Sequence, residues 1–237
     1  MKFTRILLKL SGEALMGDGE QYSHKRLTAL TQAVAQVVQT GVQIGIVVGA
    51  GNIFRARSAN LQIVDRVTAD NVGMLGTVMN AAIVRDYLRA EGLKSAILSP
   101  REQRPLTAAF ARDRALALMQ QGTVLIFAGG TGNPYFTTDS AAALRALEIS
   151  ADALFKGTQV DGVYDKDPHA HADARRYDKL DYDTVIAERL RVMDLTAVTL
   201  CAEHDLPVFV FDISDPGNLV KAMTGDQLGT WITKESD

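Results

Sequence analysis

Three runs of apolar and β-branched residues in this chain stop at glycine, and each leads on to a stretch with helical spacing. Residues 3–10 end at Ser11-Gly12, residues 42–48 at Gly49-Ala50-Gly51-Asn52, and residues 123–127 at Gly129-Gly130-Thr131-Gly132. Strands that alternate with helices pair in parallel, since a crossover through a helix returns the chain to the same end of the sheet. The expected fold class is therefore α/β, a three-layer α/β/α sandwich around a mostly parallel central sheet.

The remaining pattern extends this alternation. Helical spacing covers residues 25–40, 66–92, 106–121, 138–149, 182–190, 193–204 and 217–223, and strands are expected at 94–98, 152–156, 207–213 and 229–233. No internal repeat, low-complexity tract or flexible linker interrupts it. In the helix at 66–92, Val67, Met74, Leu75, Val78, Met79, Ile83 and Tyr87 share a wide apolar face that suits a subunit interface as well as a core.

The third turn is the richest in chemistry. In TVLIFAGGTGNPYFTTD (residues 123–139) a strand passes through glycines, hydroxyls and an amide into a helix, an arrangement that turns backbone N–H groups toward an anion. Ligands of parallel sheets bind beyond the carboxyl ends of the strands, where all three turns would meet. Lys9 and Arg55 join them, and Lys156 at a fourth strand end adds a third cation. Such a basket suits phosphoryl transfer, whose transition state needs positioning and neutralisation more than covalent chemistry. GxxxxGK[ST] is absent and GAGNIF does not match GxGxxG, so neither a P-loop nor the dinucleotide fingerprint explains the turns.

Composition excludes several alternatives. With a formal net charge of -3 and pI ≈ 5.8, the chain carries no positive excess to hold a nucleic-acid backbone, so bound phosphate must be gripped locally. One cysteine, Cys201, rules out an internal disulfide framework, lies in an apolar helical pattern and fits a reducing cytoplasm. Charges interrupt the longer apolar runs, and the start of the chain shows no small-residue cleavage site, so neither a membrane span nor a signal peptide is expected. His169 and His171 form an H-x-H without further ligands and read as a solvent-facing pair, while His24 and His204 carry no catalytic signal.

The blocks KLSGEAL, VGAGNIFR, DRVTADNVGMLGTVMNA, GGTGNPYFTTDSAAALRA and TQVDGVYDKDP occur in this order, and with them the chain resembles the bacterial uridylate (UMP) kinases of the amino-acid kinase superfamily. The match is distinctive from Lys9 to Asp167 and weaker beyond, with GTGNPYFTTD its most specific part. The resemblance implies a single domain over residues 1–237, with a lobe at 1–149 for UMP and phosphates and a lobe at 150–237 for ATP. It implies a reaction of ATP with UMP giving ADP and UDP, the first step from UMP to UTP and CTP in pyrimidine nucleotide biosynthesis, with Mg²⁺ held mainly through nucleotide phosphates. A cytoplasmic homohexamer, activated by GTP and inhibited by UTP, is implied as well.

Residue roles follow from the same resemblance. Lys9, Leu10, Ser11 and Gly12 match the first phosphate turn for ATP, and Gly51 and Arg55 the second, near both the ATP γ-phosphate and the UMP phosphate. Lys156, Thr158, Tyr164 and Asp167 match the ATP half. Ala50, Gly51 and Asp70 match the UMP side, Asp70 as acceptor from the ribose, together with Thr131, Gly132, Asn133, Pro134, Tyr135, Phe136, Thr137 and Thr138 around the base. Asp139 matches an aspartate that orients the phosphate-binding lysines, which makes Lys9, Arg55 and Asp139 the catalytic set.

Three departures from the family pattern stand out. Ala50 replaces a glycine and brings a methyl to the path of the UMP phosphate, Gln159 replaces a lysine, and residues 16–24 (MGDGEQYSH) are unusual. Two other readings keep the fold but change the function, as a kinase of a small acid such as aspartate, glutamate or acetylglutamate, or as a non-catalytic nucleotide-binding or storage protein. Against the small-acid kinase, the GTGNPYFTTD loop has no carboxylate-binding arginine of its own.

Overall fold

The computed structural model describes residues 3–54, 63–168, 170–190, 192–225 and 227–235, so Arg55 and His169 lie outside the described residues. The first part of the chain runs β1 (Arg5–Leu10), a 3-10 turn (Gly12–Leu15), α1 (His24–Gln39), β2 (Gln43–Val48), α2 (Arg66–Ala90), β3 (Ser95–Ser99), β4 (Ala108–Ala109), α3 (Arg112–Gln120), β5 (Val124–Phe127) and α4 (Thr138–Glu148). The second part runs β6 (Ala153–Thr158), β7 (Val163–Tyr164), β8 (Arg176–Tyr177), β9 (Lys179–Asp181), α5 (Tyr182–Ala187), α6 (Leu195–Glu203), β10 (Val208–Asp212), α7 (Gly217–Thr224) and β11 (Gly229–Thr233).

A nine-stranded sheet has the order β4-β3-β5-β2-β1-β6-β10-β11-β9 and is parallel except between β10 and β11. β7 and β8 pair separately as an antiparallel ribbon. In β1, Ile6, Leu8 and Leu10 join the core shared with Leu27, Leu30 and Val34 of α1, Val84 and Leu88 of α2 and Leu219 of α7. Leu7 joins the opposite core with Met119 of α3, Ala142 and Ala146 of α4 and Val198 of α6. Because side chains alternate along a strand, Lys9 belongs to the face of Leu7, the face covered by α4.

The sheet is thus buried on both sides, as expected for an α/β sandwich. By length and composition α2 would pass for a membrane-crossing helix, but here Val78, Ala81, Val84 and Leu88 bury one face in the core. Its other face exposes Val72, Leu75 and Met79. Asp65 caps its first turn by accepting from the Thr68 amide at 3.0 Å.

The sequence pattern misplaces one helix start. Residues 106–121 carry helical spacing, yet the helix begins at Arg112, and Ala108–Ala109 pair with β3 as an edge strand. Tertiary contacts override the local pattern: the Phe110 amide donates to the Ser99 carbonyl at 2.9 Å, and its ring packs edge-on to Phe127 and under the buried guanidinium of Arg145. The acidic turn segment after β6 likewise conceals the β7–β8 ribbon, whose strands are too short for a periodic signal.

Gly229 is required by close packing rather than by its dihedrals. A Cβ there would lie 2.3 Å from the Val210 carbonyl oxygen and 2.6 Å from Phe209 Cζ, inside a paired strand that cannot yield. Gly229→Ala is expected to lower the unfolding free energy by about 2 kcal/mol. At Gly73 of α2, where an added methyl meets nothing within 4 Å, the same change should gain about 1 kcal/mol. Urea denaturation of both variants measures the contrast; equal shifts would contradict the packing account.

Candidate active site

β5, β2, β1, β6 and β10 are neighbouring parallel strands, so their carboxyl ends open on one edge of the sheet. The three glycine turns leave from that edge. Lys9 and Lys156 are register partners across β1 and β6, and their side chains therefore emerge side by side on the α4 face. Asp139, the second residue of α4, sits between them: Lys9 Nζ lies 2.7 Å from Oδ1 and Lys156 Nζ 2.8 Å from Oδ2. Lys156 also donates to the Val192 carbonyl.

The charges in this triad feel one another strongly. Burial pushes the Asp139 carboxyl up, but Lys9 and Lys156 outweigh it and hold the group below the ordinary carboxylate value. Burial lowers Lys156 from the ordinary lysine value, and attraction to Asp139 only partly opposes this. The ammonium of Lys156 is thus an uncomfortable charge that an anion would relieve.

A fourth charged group completes the arrangement and had no signal in the sequence. Asp194 caps α6 through the Ala197 amide at 3.1 Å and accepts from the Ser140 hydroxyl at 2.9 and 3.1 Å and from the Thr137 hydroxyl. Thr137 in turn accepts from the amides of Asp139 and Ser140 at 3.1 and 3.3 Å and so caps α4. One carboxylate thereby ties together the starts of two helices. Its partners lie 54 to 57 residues away in the chain, which is why spacing alone could not reveal it. A cavity of about 660 Å³ is lined by Lys9, Thr137, Thr138, Asp139, Lys156 and Asp194.

A second cavity, of about 430 Å³, shares Thr137 and Thr138 with the first and is otherwise lined by residues that include Ala50, Gly51, Asp70, Gly130, Asn133 and Phe136. Gly129, Gly130 and Gly132 adopt φ of 76°, 57° and 80°, a left-handed path open chiefly to glycine. Thr131 closes the loop on Asn133, and the Tyr135 amide donates to Asp70 Oδ2 at 2.8 Å. Arg66 pairs with the same oxygen at 2.8 Å and lies over the Tyr135 ring. Asp70 thus already holds the loop that borders this cavity.

A third cavity, of about 450 Å³, is lined by residues that include Gly162, Tyr164, Asp167, Pro168, Glu188 and Leu190. The Tyr164 hydroxyl donates to Asp161 at 2.6 Å, which raises its pKa above the ordinary tyrosine value. The Thr158 hydroxyl is spent on the Val160 amide and carbonyl, closing the turn after β6. Residues 188–190 border this cavity and 192–194 the first.

Two of the turn residues expected at the site also pack within the protein. The Leu10 side chain is fully buried and its carbonyl accepts from the Gly49 amide at 2.9 Å, so Leu10 joins the first two turns. The Ala50 methyl packs against α2, where a Cβ on Gly76 would come within 2.8 Å of it, at the border of the second cavity. Gly12 has no room for a side chain, since a Cβ would lie 2.7 Å from the Gly51 amide and 2.3 Å from Asn52 Oδ1. Ser11-Gly12 therefore nests directly on the second turn. Gln159 is exposed, and no group of three or more His, Cys, Asp or Glu able to hold a metal occurs among the described residues.

Comparison with known proteins gives a consistent picture. The Amino acid kinase family matches residues 4–212. A uridylate kinase of Xanthomonas axonopodis pv. citri is 48% identical over 237 residues, covering 100% of this chain and 99% of the relative, and that of Xanthomonas oryzae pv. oryzae matches equally. Among solved structures, UMP kinase from Bacillus anthracis superposes with a TM-score of 0.95 at 34% identity, over 99% of this chain and 98% of that one. UMP kinase from Ureaplasma parvum gives 0.93 at 32% identity, over 99% and 100%.

The triad generates a test of stability. Because Asp139 titrates below the ordinary carboxylate value in the fold, the unfolded chain takes up that proton first on acidification. Its stabilisation is therefore full at neutral pH and vanishes as pH falls through the folded value. Asp139→Asn, which leaves two partly buried ammonium groups without their shared partner, should lower the unfolding free energy at neutral pH by about 3 kcal/mol. The deficit should shrink as denaturation is followed from about pH 5 downward. A deficit that does not change with pH would remove the ion triad as its cause.

Proposed function

We propose, for a chain that belongs to the amino acid kinase family and within it to the uridylate kinases, that transfer takes place at the rim where β1, β2, β5 and β6 end. The chain is an enzyme, and its reaction moves the γ-phosphoryl group of ATP to a phosphate oxygen of UMP, giving ADP and UDP. The observation that carries the site assignment is the Lys9–Asp139–Lys156 triad beside a cavity edged by Asp70 and Thr138. Phosphates of donor and acceptor meet in front of the two ammonium groups. The acceptor oxygen is already ionised near neutral pH, so alignment and shielding of repulsion suffice and no general base is required.

In this reading residues 1–149 hold UMP and the phosphates, and residues 150–237 hold the ATP nucleoside beside Tyr164 and Asp167. Thr158 shapes the turn that leads there. Asp70 presents Oδ1 to the UMP ribose while Oδ2 keeps the base loop, Thr131 through Thr138, in place. Ser11, Gly12 and Gly51 offer backbone amides to phosphate, and Arg55 supplies a further cation. Asp139 turns both carboxylate oxygens to lysines, so it is an orienting group and not a metal ligand. Mg²⁺ is carried on nucleotide phosphates, where it neutralises charge.

A cytoplasmic homohexamer regulated by GTP and UTP belongs to the same proposal. The exposed Val72, Leu75 and Met79 on α2 give it a surface for a second copy.

A coupled assay of ADP release with UMP, CMP, aspartate and glutamate tests the acceptor. Turnover with UMP far above the others is expected, and turnover with none would leave a non-catalytic binding protein. Lys9→Ala should lower kcat about a hundredfold or more, the scale for losing one preorganised donor to transition-state charge. Unchanged turnover would remove Lys9 from the mechanism. Asp70→Ala should chiefly raise the KM for UMP, because a ribose contact made equally in ground and transition states leaves kcat alone. A large fall in kcat with normal UMP binding would contradict that role.

A further inference from the structure

Two buried polar side chains on α2 have been given no part in binding or transfer, and each is bonded to a glycine turn. Thr77, 5% exposed, accepts from the Gly129 amide at 2.7 Å and donates to the Met74 carbonyl at 2.6 Å. Asn80, fully buried, donates to the Gly49 carbonyl at 2.6 Å and to Asn52 Oδ1 at 2.8 Å. Its own Oδ1 accepts from the Tyr22 hydroxyl at 2.8 Å and from Asn52 Nδ2 at 3.2 Å.

Neither residue serves the core as an apolar one would. Val78, Ala81 and Val84 beside them fill apolar space, and polar atoms buried among such neighbours are costly unless every one is bonded. Here they are bonded, and to the two turns that border the same cavity: Ala50 and Gly51 on one side, Gly130 on the other. Gly76, immediately before Thr77, admits the Ala50 methyl against the helix. The helix therefore touches both turns through consecutive contacts on one face.

We propose that Thr77 and Asn80 are positioning residues, with α2 as a common ruler that sets the spacing between the Gly49–Asn52 turn and the loop that starts at Gly129. The proposal rests on the kinase reading above. Thr77 borders the cavity, but its hydroxyl already gives one bond and receives one, so its influence passes through the Gly129 amide. Small displacements between reacting groups are expensive in transfer reactions, and a ruler shared by both turns limits them.

The test compares wild type with Thr77→Val, Thr77→Ser and Tyr22→Phe, varying UMP at saturating ATP and the reverse, with urea denaturation of each. Thr77→Val keeps the volume but leaves the Gly129 amide without its acceptor, and should raise the KM for UMP roughly tenfold with less than about a twofold change for ATP. Thr77→Ser restores the acceptor and should return the KM for UMP to within about threefold of wild type. Tyr22→Phe, which loosens only the outer bond to Asn80 and so the turn on the other side of the same cavity, should raise the KM for UMP about threefold.

A wild-type KM for UMP in Thr77→Val overturns the proposal. So does equal impairment of Thr77→Val and Thr77→Ser, or a parallel rise of both KM values that tracks lost stability. If Thr77→Val fails to fold, an unchanged KM for UMP in Tyr22→Phe overturns it instead. Wild-type protein inert toward UMP would overturn the kinase reading itself, a result distinct from all of these.

Discussion

Lys9 and Lys156 face each other across the β1–β6 ladder, on a side of the sheet that α4 covers. Like charges placed opposite on one face of a sheet repel, and burial raises the cost of each. The fold accepts this only because Asp139 offers one oxygen to each ammonium. The two shifts within the triad carry opposite meanings for stability: the carboxylate is held charged more firmly than in the unfolded chain, and Lys156 less firmly. Such a site is a poor source of stability and a good receptor for anions.

The need to keep Asp139 between the lysines explains much of the surrounding structure. Asp139 is presented by the first turn of α4, so that turn must be rigid. Thr137 caps it, Asp194 grips Thr137 and Ser140, and the same carboxylate caps α6. Segment 192–194 thus wraps Lys156 from one side while α4 approaches from the other. With Asp194 included, two lysines and two aspartates line the first cavity, so the formal charges of these four described residues balance.

Much of this was legible before any coordinates. The alternation of strands and helices gave the layers, and the glycines gave the sheet edge, because a backbone path like that of Gly129, Gly130 and Gly132 is strained for other residues. Lys9 and Asp139 were visible as a pair through family resemblance. What was hidden depends on register and on distant contacts. No spacing rule shows that Lys9 and Lys156 are ladder partners, that Asp194 reaches back to Thr137, or that the Ala50 methyl meets Gly76. The start of α3 was hidden for a related reason, since Phe110 is claimed by Ser99, Phe127 and Arg145 from other elements.

The glycine-to-helix stretch at 123–139 invites the view that the start of α4 itself binds the anion. The structure argues otherwise for its first amides. Those of Asp139 and Ser140 already donate to Thr137, whose hydroxyl is fixed by Asp194, and the side chain of Asp139 adds a negative charge to that end of the helix. The dipole of α4 is thus spent on holding a carboxylate, which in turn holds two lysines. A phosphate approaching the rim meets ammonium groups and the amides of the loops, with the helix acting one step behind them. In the proposed transfer, that division sets both ammonium groups where charge moves from donor to acceptor, while the helix that orients them stays still.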